Sequence, residues 1–129
     1  MIVDGSALLA IACGDAEALS LSGAVARAAD PMLSNVAFVD CARALVDRFG
    51  AEGATRLDQA VRSLGLRRVE IDDAIADAAV RYSASFGTGI APARLGTGGW
   101  VSCALARLLD RPLLFEGGDF LRTDVAVAC

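Results

Sequence analysis

Two basic side chains are absent from this 129-residue sequence, which contains neither lysine nor histidine. All 12 of its basic residues are therefore arginines. Without lysine the chain cannot form a Schiff base with a substrate, and it cannot use the lysine of a phosphate-binding P-loop. The absence of histidine, together with cysteines that form no C-x-x-C pair, argues against a zinc site. The cysteines are Cys13, Cys41, Cys103 and Cys129.

Long apolar runs are also missing, although apolar residues make up 55% of the chain and aromatic residues only 5%. No run reaches the roughly 18 residues of a membrane span, and no signal-peptide pattern begins the sequence. We therefore expect a cytoplasmic protein with no membrane contact. The length predicts a single domain over residues 1–129. The net charge of −4 argues against non-specific adhesion to nucleic acid, although a local arginine patch could still bind RNA.

Short apolar runs alternate with helical periodicity along the whole chain. Met1-Ile2-Val3 is the first run. Similar runs predict strands over 32–34 and 113–115, with an edge strand over 125–127, and the segment Arg67-Arg68-Val69-Glu70-Ile71 predicts a further strand. After a first helix that ends before Cys13, helical spacing and the caps Asp15, Asn35 and Asp72 predict helices over 15–29, 35–49, 52–64, 72–86 and 100–109. This alternation predicts an α/β fold, with a mainly parallel sheet of four or five strands covered on both faces.

Acidic side chains follow three of the predicted strands. Asp4 ends the first strand, Asp40 comes shortly after the second, and Asp119 comes just past the fourth. In open α/β sheets, ligands bind at the carboxyl ends of the strands. Mg²⁺ and Mn²⁺ prefer oxygen ligands, and acids held close together without a basic partner imply a cation. The three acids together predict a metal site, although each alone could be a helix-start or turn residue.

Several motifs occur in order along the chain. They include the opening Met-Ile-Val-Asp-Gly-Ser-Ala-Leu-Leu-Ala, then Val39-Asp40-Cys41, and finally Pro112-Leu113-Leu114-Phe115 with Gly117-Gly118-Asp119-Phe120 and Thr123-Asp124-Val125. This ordered set resembles the PIN-domain ribonucleases of the VapC toxin type over essentially the whole chain. The resemblance implies a three-layer α/β/α sandwich, and RNA cleavage with Mg²⁺ or Mn²⁺ held by clustered acids. It also implies a VapB-like antitoxin that blocks the site, and a homodimer.

The resemblance assigns roles to individual residues. Asp4 matches the family's first metal-binding Asp, Asp40 stands where the family usually has the longer Glu, and Asp119 matches the late Asp of the Gly-x-Asp-Phe motif. The fourth acid is missing, because this chain has Gly99 where the family has Asp before its last long helix. Asp124 matches a position that in the family more often fixes the C-terminal turn.

The leading hypothesis is a VapC-like endoribonuclease. In it, Asp4, Asp40 and Asp119 bind Mg²⁺ or Mn²⁺, and an activated water attacks the phosphodiester. Ser6 could hold the water or the substrate, and Arg94 and Arg122 are candidates for phosphate contacts because they flank the predicted site. Loss of one anionic ligand is expected to weaken metal binding and activity.

The alternative hypothesis is a catalytically silent PIN-fold module that binds an antitoxin-like partner or a PIN-domain relative. Gly99 favours it, and so does the loss of basic residues around the site, where Glu116 stands in one of their positions. A phosphoacceptor receiver or a haloacid-dehalogenase-type phosphatase would also place an Asp at a strand end. Both would require a lysine near the phosphoryl group, and this chain has none.

Overall fold

Four short parallel strands form the central sheet in a computed structural model, which describes residues 1–128. The strands lie in the order β3-β2-β1-β4. Ile2 is paired with both Met32 and Leu113, so the first strand lies between its two neighbours. Because every pairing is parallel, the carboxyl ends of all four strands lie at one edge of the sheet. The strands are β1 (Ile2–Val3), β2 (Met32–Ser34), β3 (Arg67–Val69) and β4 (Leu113–Leu114).

Six α-helices connect or follow the strands within the described part of the chain. They are α1 (Gly5–Cys13), α2 (Ala18–Arg27), α3 (Asn35–Phe49), α4 (Ala51–Ser63), α5 (Asp73–Phe86) and α6 (Thr97–Leu108). A short 3₁₀ helix, Asp119–Arg122, comes after β4. Between residues 1 and 128 there is no helix with the length and apolar character needed to span a bilayer.

Successive residues of each strand point to opposite faces of the sheet, which creates two apolar layers. Val3 and Leu33 pack into one layer with the buried residues of α1 to α4. Ile2 and Leu113 pack into the other layer, which is completed largely by α6 and by partly buried residues of α5. Helices therefore cover both faces of the sheet, and the predicted three-layer α/β/α sandwich is confirmed.

Two predicted helix caps are wrong. α2 begins at Ala18, because the carbonyl of Asp15 accepts a hydrogen bond from Ala18 N at 2.9 Å and the residues between them form a turn. α3 is capped by Ser34 rather than by Asn35, since Ser34 Oγ accepts a hydrogen bond from Ala37 N at 2.9 Å. The predicted cap of α5 is correct: Asp72 Oδ1 accepts a hydrogen bond from the backbone of the first turn at 2.9 Å.

Other predicted bounds also differ from the structure. α2 ends at Arg27 rather than at residue 29, and β4 ends at Leu114 rather than at residue 115. Residues 97–99, predicted as loop, form the first turn of α6. β3 ends at Val69, so residues 70–71 lie outside the sheet. The predicted edge strand over 125–127 is reduced to one parallel bridge between Leu113 and Val127. Cys129 lies outside the described residues.

Candidate active site

A cleft of about 310 Å³ opens where β1, β2 and β4 end. Its walls are formed by the start of α1, by α3, by residues 94–99 and by the segment that follows β4. Asp4, Asp40 and Asp119 all line this cleft, together with a fourth acid, Glu116. The fold therefore brings the three acids predicted as a metal site to one cavity, from positions far apart in the sequence.

Asp4 is the most firmly held of these acids. It is the residue before α1, and its Oδ2 accepts a hydrogen bond from the backbone N–H of Ser6 at 2.9 Å. Its Oδ1 accepts a hydrogen bond from the hydroxyl of Ser102 at 2.6 Å. Only 5% of Asp4 is exposed, so both donors offset the cost of burying its charge.

Asp40 lies on α3 and reaches across the cleft to α6. Its Oδ2 accepts a hydrogen bond from the backbone N–H of Gly98 at 3.0 Å. The residue before α6, Gly96, has no side chain to cap the helix, so the carboxylate of Asp40 satisfies one of the free N–H groups of its first turn. A Cβ atom at position 98 would collide with Asp40 Oδ2, so this contact requires glycine.

Asp119 begins the 3₁₀ helix after β4. Its Oδ1 accepts a hydrogen bond from the backbone N–H of Arg94 at 3.0 Å. The bond ties the loop before α6 to the segment after β4, which form neighbouring walls of the cleft. Unlike Asp4, Asp119 is only partly buried, so the described structure leaves its carboxylate accessible from the cleft.

The donor chemistry of the cleft suits a hard divalent cation. Within residues 1–128, the ion pairs involve none of Asp4, Asp40 and Asp119, so arginine does not neutralise them. In the same residues, however, no three Asp, Glu, Cys or His side chains stand close enough together to hold one ion. An ion bound without rearrangement would take fewer than three protein side chains and complete its shell with water, as Mg²⁺ commonly does. The assignment of these acids as metal ligands stays a prediction.

The three predicted substrate-binding residues differ in position. Ser6 and Arg94 line the cleft, and Ser6 Oγ accepts a hydrogen bond from the backbone N–H of Glu116 at 3.0 Å. Arg122 is not among the residues that line it; its guanidinium donates to the carbonyl of Pro92 at 3.5 Å. Arg122 therefore supports the loop before α6, and Arg94 is the better placed of the two arginines for a phosphate in the cleft.

Asp124 lies away from the cleft and holds the C-terminal segment to α5 and α6. Its Oδ1 accepts a hydrogen bond from the hydroxyl of Tyr82 at 2.8 Å, and its Oδ2 lies 3.6 Å from Arg107 Nε. Burial, reinforced by the carboxylate of Asp124, raises the pKa of Tyr82 to about 12. This arrangement agrees with the role in fixing the C-terminal turn that the resemblance implied for Asp124.

Cys41 also lines the cleft, but its chemistry is that of a neutral thiol. Burial raises its pKa to about 12, and the nearby Cys13, Asp4 and Asp40 act in the same direction. Burial likewise raises the pKa of Cys103 to about 12. Because thiolates are the nucleophilic and metal-binding form of cysteine, neither residue is suited to those roles at neutral pH.

Sequence reasoning missed two residues that hold the acids of the cleft. Ser102 donates to Asp4, and Gly98 donates to Asp40. Gly98 carried a signal in the sequence, as part of the glycine run before Trp100. The contact of Ser102 joins residues 98 positions apart, so no local pattern could reveal it. Glu116, which sequence reasoning did place near the site, adds a carboxylate to the cleft wall.

Known proteins match both the sequence and the fold. The family model of the PIN domain matches residues 1–126. Ribonuclease VapC of Mycolicibacterium smegmatis is 36% identical over 126 residues, which cover 98% of this chain and 98% of that protein. At this level of identity over nearly the full length of both chains, the relationship is one of family and not only of fold.

Two solved structures share the architecture at lower identity. The crystal structure of Mycobacterium tuberculosis VapC20, described as a sarcin-ricin loop cleaving toxin, has a TM-score of 0.79 at 19% identity and covers 97% of this chain and 95% of that one. A toxin-antitoxin complex from Klebsiella pneumoniae has a TM-score of 0.69 at 17% identity and covers 92% and 88%. These two show a common fold, whereas the family model and the sequence relative show that the chain belongs to the PIN domain family, among the VapC ribonucleases.

Proposed function

We propose that this protein is a VapC-like toxin, an endoribonuclease that uses a divalent metal ion to hydrolyse RNA phosphodiester bonds. PIN-domain VapC ribonucleases generally depend on a divalent metal, and we assign Mg²⁺ or Mn²⁺ here because the donors of the cleft are carboxylates. The observation that carries the proposal is the meeting of Asp4, Asp40 and Asp119 in one cleft, none of them paired with arginine within residues 1–128.

In this proposal the residues of the cleft divide into two groups. Asp4, Asp40 and Asp119 would hold the ion, fewer than three of them directly as they now stand and the others through water. Such an ion would supply an activated water and would offset the charge that develops on the phosphodiester. Arg94 and Ser6 orient the substrate, since an exposed guanidinium at the rim can pair with a phosphate oxygen. In this proposal water is the nucleophile and no side chain forms a covalent intermediate. The Cys41 thiol is not suited to that role, since burial raises its pKa to about 12.

The acid that is missing at position 99 is expected to lower the activity of the protein. Gly99 lies in the first turn of α6 and lines the cleft. A Cβ atom there would lie 3.0 Å from Leu95 Cβ and 3.4 Å from Phe120 Cζ, so a side chain fits if these neighbours shift by a few tenths of an ångström. We therefore expect Gly99→Asp to fold and to add a carboxylate to the site.

The decisive experiment compares RNA cleavage by the wild type, Gly99→Asp and Asp4→Ala, with Mn²⁺ or Mg²⁺ and a varied set of RNAs. We expect slow, metal-dependent cleavage by the wild type and none by Asp4→Ala. Gly99→Asp should cleave faster, by about 10- to 100-fold if the carboxylate matters as much as other groups that tune metal sites. Wild-type protein that leaves every RNA intact under conditions where Gly99→Asp cleaves would contradict the enzymatic proposal.

A catalytically silent PIN-fold module is the second candidate, and the glycine at position 99 is the observation that favours it. Glu116 at the cleft wall adds to it, since a carboxylate there repels RNA phosphates. Calorimetry separates the two candidates: micromolar Mn²⁺ binding that disappears in Asp4→Ala would count against a silent module.

For partners, we propose a cognate VapB-like antitoxin and a homodimer in the cytoplasm, without membrane contact. The similarity to a toxin-antitoxin complex supports the antitoxin. Co-expression with a small protein encoded next to this gene, followed by co-purification, tests the first proposal. Light scattering on the purified protein tests the second, and a monomeric mass would contradict it.

A further inference from the structure

The hydroxyl of one α6 residue, Ser102, connects that helix to Asp4 in the cleft. Ser102 Oγ donates to Asp4 Oδ1 at 2.6 Å, although the two residues are 98 positions apart in the sequence. Ser102 is completely buried and Asp4 is 5% exposed. At this length the contact is a well-formed hydrogen bond from a hydroxyl to a carboxyl oxygen.

Ser102 lies in a buried stretch of α6 whose neighbouring residues are apolar. Cys103 and Ala104, which follow it on α6, are fully buried, and Val101 before it is 5% exposed. A hydroxyl in such a place is kept satisfied only by a specific partner, and here the partner is the Asp4 carboxylate. The second oxygen of Asp4 is held by the backbone N–H of Ser6. With one donor on each oxygen, the carboxylate cannot rotate without losing a bond.

The position of Ser102 on α6 gives this contact a functional meaning. Ser102 comes three residues after Gly99, which is one turn further along the same face of the helix. α6 therefore lacks the family's acid in its first turn but still contacts the cleft's acids in two places. Its Gly98 N–H donates to Asp40, and its Ser102 hydroxyl donates to Asp4.

We propose that Ser102 is a positioning residue for the candidate metal site, and that it fixes the orientation of the Asp4 carboxylate toward the cleft. The proposal rests on the proposed function, since it assumes that Asp4 binds the ion. Ser102 itself is buried behind Asp4 and does not line the cleft, so its effect on the site passes through that carboxylate.

The test measures Mn²⁺ affinity by calorimetry, and thermal unfolding, for Ser102→Ala and Ser102→Thr. Outer-sphere groups that orient metal ligands are typically worth about 10- to 100-fold in affinity, and we expect a loss of this size in Ser102→Ala. Ser102→Thr retains the hydroxyl and should recover most of the affinity. Ser22→Ala is the matched control, because Ser22 is also a helical serine but donates to the backbone carbonyl of Ala18, away from the cleft.

Ser102→Cys covers the case in which Ser102→Ala does not fold. The thiol has nearly the same shape as the hydroxyl but is a weak donor, so we expect a folded protein with reduced Mn²⁺ affinity. A folded Ser102→Ala or Ser102→Cys that binds Mn²⁺ as tightly as the wild type would overturn the positioning role.

A second measurement separates failure of this proposal from failure of the proposed function. In metal-free protein, the unfolding free energies of Asp4→Ala, Ser102→Ala and the double variant form a cycle whose non-additivity reports the contact itself. A wild type that binds neither Mn²⁺ nor Mg²⁺ would overturn the proposed function and the positioning role together, even if the cycle shows coupling. If the wild type binds Mn²⁺ but the cycle is additive, only the positioning role of Ser102 is overturned, and the proposed function stands.

Discussion

At the scale of single residues, the carboxylates of the cleft are held in place by uncharged hydrogen-bond donors. Asp4 and Asp40 are each bound by an atom of α6, the hydroxyl of Ser102 and the N–H of Gly98. Neither donor carries a charge, so neither competes with a metal cation for the acids. An arginine in either place would instead neutralise the acid and compete with the metal ion.

Substitution of Gly98 tests this arrangement. Gly98→Ala places a methyl group against Asp40 Oδ2, and we expect the carboxylate to be displaced. Because only the end of a side chain must move, we expect a change of less than about 1 kcal/mol in unfolding free energy, but a loss of about 10-fold in Mn²⁺ affinity. Denaturant unfolding and calorimetry measure the two effects. Gly96→Ala is the control, since a Cβ there meets no atom within 4 Å. Equal Mn²⁺ affinity in the two variants would contradict the prediction.

At the scale of secondary structure elements, the helices are placed by close contacts that local propensity does not favour. Glycine is unfavourable inside helices, yet α4 carries Gly53 where it crosses α3. A Cβ atom at Gly53 would collide with the backbone carbonyl of Leu45. The close approach of these two helices helps to fix α3, and α3 carries Asp40 into the cleft.

Two helical glycines should therefore respond in opposite directions to alanine. Gly53→Ala should lower the unfolding free energy by about 1–3 kcal/mol because the backbones must separate. In Gly23→Ala, on α2, the new methyl would lie 3.3 Å from the flexible end of Arg27, so the gain in helix propensity should stabilise the protein by about 0.5–1 kcal/mol. Thermal and denaturant unfolding decide the sign, and stabilisation by Gly53→Ala would contradict the close crossing.

The hydrogen bond from Tyr82 to Asp124, which holds the C-terminal segment to α5, predicts that the stability of the fold depends on pH. Tyr82 is the only tyrosine, and its pKa of about 12 in the folded protein lies above the ordinary value of 10.0. The folded state thus keeps a proton that the unfolded state loses, so this contribution to stability is complete below pH 10 and is lost as the pH rises toward 12. Ultraviolet titration of tyrosinate in native and guanidinium-unfolded protein measures both pKa values.

Asp124→Asn provides the control for that titration. Burial is the largest cause of the raised pKa and the carboxylate of Asp124 the next. The pKa of Tyr82 in folded Asp124→Asn should therefore fall only part of the way toward its ordinary value. A native wild-type titration that coincides with that of the unfolded chain would contradict the contact.

At the scale of the whole molecule, a bound ion should stabilise the entire fold. The cleft draws its walls from the ends of β1, β2 and β4, so an ion bound there links segments from both ends of the chain. A ligand that binds only the folded state at 100 times its dissociation constant adds about 2.7 kcal/mol to the unfolding free energy. We expect a rise of the melting temperature with Mn²⁺ that EDTA reverses.

Two aspartate variants make this melting experiment specific. Asp4→Ala should abolish the stabilisation by Mn²⁺, because it removes a carboxylate from the cleft. Asp15→Ala should leave it unchanged, since Asp15 is exposed in the turn before α2 and is not part of the cleft. Equal stabilisation of both variants by Mn²⁺ would place the ion elsewhere on the protein.

The sequence by itself determined the layers and the family of this protein. Short apolar runs identified β1, β2 and β4, the segment 67–71 identified β3, and Asp72 identified the start of α5, because the signals for strands and caps are local in the sequence. The meeting of Asp4, Asp40 and Asp119 at one cleft could also be anticipated, since the carboxyl ends of parallel strands share one edge of a sheet. Their assignment as metal ligands is still a prediction.

Only the tertiary structure decided how those acids are held. The bonds from Ser102 to Asp4 and from Gly98 to Asp40 join residues 98 and 58 positions apart. The start of α6 at Thr97 follows from the same packing, because a carboxylate of α3 satisfies its first turn in place of a local cap. Such contacts depend on how closely α6 approaches α1 and α3 across the sheet edge, and that distance is set by packing of the whole core rather than by neighbouring residues in the chain.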